Sequence, residues 1–196
     1  MYSFDRCATW RRASAGEIMK TGSKLIIAAG VVAIAGSMAA VQVHAGRDRV
    51  AFPESYAKGV RYLTLDKEDA REVRDYYASP EAAAAAKKGE PFPDGTVITV
   101  VIYAAQLDAD NKQVKDANGR LIKTDTIRGY TAMEKHAGWG EAYPAVLRNG
   151  DWEYQVFRGD KAVNSQANMT SCFNCHRPQA DHDFVFTYDS LKTAAP

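Results

Sequence analysis

Cysteine is scarce in this 196-residue chain, which holds only Cys7, Cys172 and Cys175. Three cysteines exclude a small scaffold stapled by several disulfides. An excess of charge of one sign is also missing: 25 Lys and Arg stand against 24 Asp and Glu, a formal net charge of +1. That balance excludes the basic footprint of a nucleic-acid binder and gives no pull toward an anionic membrane surface. Long apolar runs are lacking as well, with one exception at Leu25 to Val41.

That exception reads as an address. Met19-Lys20-Thr21-Gly22-Ser23-Lys24 is a positively charged start, and Met19 is a candidate initiator. Val43-His44-Ala45 is a small-x-small cleavage site. Together they make residues 1–45 a secretory signal peptide and place the mature protein in the periplasm. An uncleaved anchor is the competing reading, but the run is short for a span and rich in Ala and Gly. Cleavage leaves one domain, residues 46–196, with 20 basic and 22 acidic residues and a charge of −2. A chain of that length buries a core without disulfides, and no stable membrane insertion remains after cleavage. Cys7 leaves with the leader, so the mature chain keeps two cysteines.

Those two lie in Cys172-Phe173-Asn174-Cys175-His176. A C-x-x-C-H run is the attachment signature of c-type haem. Each thiol adds across one vinyl group of the porphyrin, and the adjacent imidazole binds the iron as proximal ligand. The motif calls for one covalent haem c per chain, with Cys172 and Cys175 holding it and His176 on the metal. Two other readings stay open. Cys172, Cys175, His176 and His182 have the make-up of a Cys2His2 zinc site. Cys172 and Cys175 also suit a reversible redox disulfide.

The rest of the chain predicts α+β architecture. Tyr56, Val60 and Leu63 carry helical spacing over Pro53 to Tyr62. Ser79-Pro80-Glu81, five alanines, Lys87-Lys88 and Gly89 spell a capped short helix, and the alanines read as tight packing rather than a functional stripe. Thr96 to Tyr103 is β-branched and nearly all apolar, a buried strand. Ile127 to Met133, Trp152 to Phe157 and Phe184 to Tyr188 read as further strands, with turns at Asn118-Gly119 and Asn149-Gly150-Asp151. An antiparallel sheet with a few short helices follows, and the haem motif comes late, near the C-terminus.

The order of these features resembles the cytochrome P-460 family over most of Ser55 to Leu191. The resemblance is carried by Tyr-Tyr-Ala-Ser-Pro-Glu, Lys87-Lys88-Gly89, Phe92-Pro93-Asp94-Gly95-Thr96-Val97, the late C-x-x-C-H and Asp183-Phe184-Val185-Phe186-Thr187. It implies an antiparallel sheet with few helices, a homodimer, and a five-coordinate iron with His on one side and an open face on the other. The P-460 enzymes of this family oxidise hydroxylamine, handle nitric oxide, and carry a lysine bonded to the porphyrin. The matching position here is Val100, and no lysine stands between Lys88 and Lys112. The resemblance therefore favours the cytochrome c′-β type, which binds NO or CO or passes electrons to a partner protein. A hydroxylamine or NO oxidoreductase is the alternative, and no catalytic residue is assigned.

On the open face the resemblance singles out Arg74 as distal candidate, able to hold a propionate or donate to a bound ligand. A solvated cluster with Glu72 and Asp75 is the plainer reading. Tyr76, Tyr77 and Phe92 are candidate pocket walls or core. Among possible sixth ligands, His182 and Met169 are expected on the proximal side or rim, His136 on the surface and Met133 in the core. Lys87 and Lys88 read as a solvated helix end.

Overall fold

The computed structural model describes residues 49–194, so the expected leader and cleavage site lie outside the described residues. Five strands form one antiparallel meander in sequence order: β1 (Val60–Lys67), β2 (Glu72–Ala78), β3 (Val97–Ala105), β4 (Lys123–Lys135) and β5 (Trp152–Arg158). Three helices sit with it: α1 (Pro80–Lys88), α2 (Met169–His176) and α3 (Tyr188–Thr193). This is the α+β architecture that the turn and strand signals predict. Among the described residues no helix is long and apolar enough to cross a membrane.

Local chemistry explains α1. The Ser79 side chain accepts from the Ala82 N–H, Pro80 occupies the first turn, and Gly89 closes the helix at φ 73°. Ala82, Ala83, Ala85 and Ala86 are buried, so the alanines are packing against the core and α3. The β3 and β5 expectations hold within two residues at each end, and β4 extends beyond the expected strand at both ends.

Two expectations fail. The predicted helix over Pro53 to Tyr62 is a 3-10 turn at Tyr56–Lys58 followed directly by β1. Its register shifts between Arg61 and Leu63, and this bulge sends Tyr62 toward Thr187, whose Oγ1 lies 2.7 Å from its hydroxyl. The predicted strand at Phe184 to Tyr188 is not a strand. Asp183 and Phe184 take φ 48° and 61°, a left-handed pair that breaks extension and leads into α3.

Alternation along the strands sends side chains to two faces. On one face, Val50, Val101, Tyr130, Ala132 and Phe157 pack with Phe52, Tyr56, Tyr77 and Tyr103. On the other, the register lines up three cross-strand rows. The first row, Ala78–Ile98–Met133–Tyr154, is fully buried beneath the helices. The second, Leu63–Tyr76–Val100–Thr131–Val156, is half-buried throughout. The third begins Leu65–Arg74–Ile102 and is half-buried over those residues.

Candidate haem site

Helix α2 carries the motif. The Asn168 side chain caps it by accepting from the Thr170 N–H at 3.1 Å. Met169 and Phe173, four apart, form its buried stripe. The Phe173 ring lies tilted 4.6 Å from Tyr143 and edge-on 4.8 Å from Tyr154, and its carbonyl accepts from Asn149 Nδ2 at 2.9 Å. With that stripe fixed against the sheet, Cys172 and His176 share the next stripe and Cys175 sits one turn from Cys172.

His176 is held on both sides. Its ring lies 4.8 Å from Tyr154 and 5.1 Å from Phe186. Nδ1 is 2.7 Å from the carbonyl oxygen of Phe184. A carbonyl only accepts, so Nδ1 carries the proton and Nε2 presents a lone pair. Burial lowers the His176 pKa, and the Phe184 hydrogen bond opposes that only in part. The imidazole is therefore neutral, in one tautomer and one orientation, which is the form a metal requires.

The carbonyl is itself clamped. Phe184 N–H donates to Gln179 O at 2.7 Å. Its ring lies where a side chain on residue 150 would go: a Cβ on Gly150 would come within 3.2 Å of it, and Gly150 has φ 56°. Asp183 Oδ2 accepts from Phe92 N–H at 2.9 Å and Lys135 Nζ at 2.7 Å, and Oδ1 accepts from Trp152 Nε1–H at 3.3 Å. None of these partners has a local sequence signal. Asp183-Phe184 is singled out only by the resemblance.

The donor set fits haem better than its rivals. Cys172 is a free thiol, so Cys172 and Cys175 are not bonded to each other. Burial pushes the Cys172 thiol up to about 11, which leaves it protonated and poor as a redox nucleophile. Among the described residues no three His, Cys, Asp or Glu side chains gather as a metal cluster. His182 stacks on Tyr188 at 5.5 Å, so the four-ligand zinc reading finds no geometry. On the face that carries α2, the second and third rows offer Leu63, Leu65, Val100, Ile102 and Val156 as a half-buried apolar shelf for a flat hydrophobic group.

The remaining candidates separate by face. Arg74 stands in the third row on the shelf side, where Nη2 pairs with Glu72 at 2.7 Å and the guanidinium bears on Tyr76. Asp75, expected in the same cluster, points to the opposite face because neighbours in a strand alternate. It is fully buried there and accepts from Lys123 Nζ at 2.5 Å and Thr64 Oγ1 at 2.6 Å. Tyr76 lies on the shelf and Tyr77 on the opposite face, while Phe92 is core against Trp152 and Tyr188. Met133 and Met169 are buried core. His136 bonds Glu134 at 2.8 Å and rests on Trp139. Val100 occupies the second row.

A family model described as Cytochrome P460 matches residues 53–187. A comparison with curated proteins finds no match.

Proposed function

From the premise that the chain belongs to the cytochrome P460 family, whose members bind haem c, we propose an exported, periplasmic monohaem cytochrome with a five-coordinate iron. Cys172 and Cys175 hold the haem through thioethers, and His176 Nε2 is the proximal ligand. Haem supplies an iron that takes up one electron or binds a diatomic molecule such as NO or CO at its open face. The observation that carries this reading is the Nδ1–H bond from His176 to Phe184, which leaves the Nε2 lone pair available to a metal.

The chain's own groups do the rest. Tyr154 and Phe186 keep the imidazole from turning, and the Phe184 carbonyl strengthens it as a donor. Leu63, Val100 and Val156 give the shelf its apolar surface. Arg74, already neutralised by Glu72, stands at its far side as a group for a propionate or a polar ligand. Two copies pair as a homodimer, and electrons pass to or from a soluble protein partner. The hydroxylamine-oxidising alternative is disfavoured because valine occupies the position of the cross-linking lysine. A Cys175 thioether requires that sulfur as a free thiol when haem is attached.

The test is export with haem maturation, then haem counting and peptide mass. One haem per chain on a single peptide containing Cys172 and Cys175 is expected. A colourless protein, or zinc on both thiols, overturns the reading. A second peptide attached to the haem restores the oxidising enzyme.

A further inference from the structure

Lys135, Asp183 and Trp152 come from three separate parts of the chain and meet behind the proximal histidine. Asp183 and Lys135 are each mostly buried, with side-chain exposures of 16% and 17%. Lys135 Nζ donates to Asp183 Oδ2 at 2.7 Å and to Phe92 O at 2.9 Å, and lies 5.8 Å from the Trp152 ring centre. Trp152 is fully buried. The carboxylate thus accepts from an ammonium, a backbone N–H and an indole N–H. Such a charge-assisted set holds far more firmly than a surface ion pair.

What it holds is a strained turn. Asp183 and Phe184 both sit at positive φ, where L residues pay a backbone cost that surrounding contacts must offset. Extended backbone there would carry the Phe184 carbonyl away from His176. We infer that Lys135, Asp183 and Trp152 are positioning residues that fix the Phe184 carbonyl against His176 Nδ1 and so set the donor strength of the proximal ligand. This rests on the proposed haem function. Outer partners of a ligating histidine typically change metal affinity by about 10–100-fold.

The sign of the effect separates positioning from simple charge. Removing the Lys135 cation by itself disfavours the reduced iron and lowers the midpoint potential. Releasing the turn instead weakens the Nδ1–H bond, makes imidazole a poorer donor to ferric iron and raises the potential. The experiment compares haem-loaded wild type, Lys135→Met, Lys135→Arg and Trp152→Phe by redox titration and by the ferrous iron–histidine stretching frequency.

The expected result is a raised potential and a lowered stretching frequency in Lys135→Met. The potential shift is about tenfold in ferrous preference, about 59 mV for one electron. Lys135→Arg stays near wild type, and Trp152→Phe moves in the direction of Lys135→Met by less. A lowered or unchanged potential with a wild-type stretching frequency overturns the inference. If Lys135→Met does not fold, an unshifted frequency in Trp152→Phe overturns it equally. A wild type that carries no haem overturns the functional reading itself; a haem-loaded wild type with unshifted variants overturns only this inference.

Discussion

The two faces of the sheet solve burial in different ways. The aromatic face packs ring against ring: Phe52, Tyr56, Tyr130 and Phe157 meet edge to face at 4.9–6.2 Å between ring centres. Its charges are paired inside the chain, Asp75 with Lys123 and Glu153 with Tyr143 and Arg49. The shelf face is covered over its first row only, and the apolar residues of its next two rows remain half-buried. One histidine there, His176, is neutral and held in one orientation. The face that sets an oriented histidine beside half-buried apolar rows is the one we propose as the haem site.

The largest effect that sharpens this contrast comes from Cys172→Ala with Cys175→Ala. Covalent haem is lost entirely, read as haem stain on a denaturing gel, while aromatic-face fluorescence persists. Next come two neighbours on β5 that point to opposite faces. Phe157→Ala removes a buried ring and costs about 3–5 kcal/mol in denaturant unfolding, with the visible spectrum of the remaining folded protein unchanged. Val156→Ala costs below about 1 kcal/mol yet changes the rate of CO binding. Equal stability losses with equal spectral change would erase the distinction.

Lys123→Met costs less than Phe157→Ala, about 2 kcal/mol, because Arg61 stays 3.7 Å from the fully buried Asp75. Burial raises the Asp75 pKa, but hydrogen bonds from Lys123 and Thr64 and the charges of Lys123 and Arg61 outweigh it and hold it low. Its stabilisation is present above the ordinary carboxylate range and is lost as pH falls through the lowered value. Lys123→Met flattens that acid limb in thermal melts. Glu153 has the opposite sign. Burial raises its pKa against the pull of the Tyr143 hydrogen bond and Arg49. Its contribution is full at low pH and fades as pH rises through the raised value, so Glu153→Gln gives the smallest change, a gain confined to the less acidic side.

How far the sequence reveals all this depends on range. α1 is legible because Ser79, Pro80 and Gly89 act within one turn of the helix they bound. Strands β3 and β5 are legible from β-branched and aromatic runs. Phe184 to Tyr188 misleads because its apolar alternation is strand-like, while its backbone is set by Lys135, Trp152 and Gly150 from elsewhere in the chain. The helical spacing at Tyr56, Val60 and Leu63 misleads because a bulge imitates it. At the site, Cys172, Cys175 and His176 are adjacent and readable. The carbonyl that orients His176 has no side-chain identity, so no residue type announces it.

The central claim is tested most directly by the absorption spectrum of the exported protein, reduced under argon and then exposed to CO. A covalently bound, five-coordinate high-spin ferrous haem that converts to a CO complex is the predicted result. A six-coordinate low-spin spectrum that ignores CO, or no haem absorption at all, contradicts it.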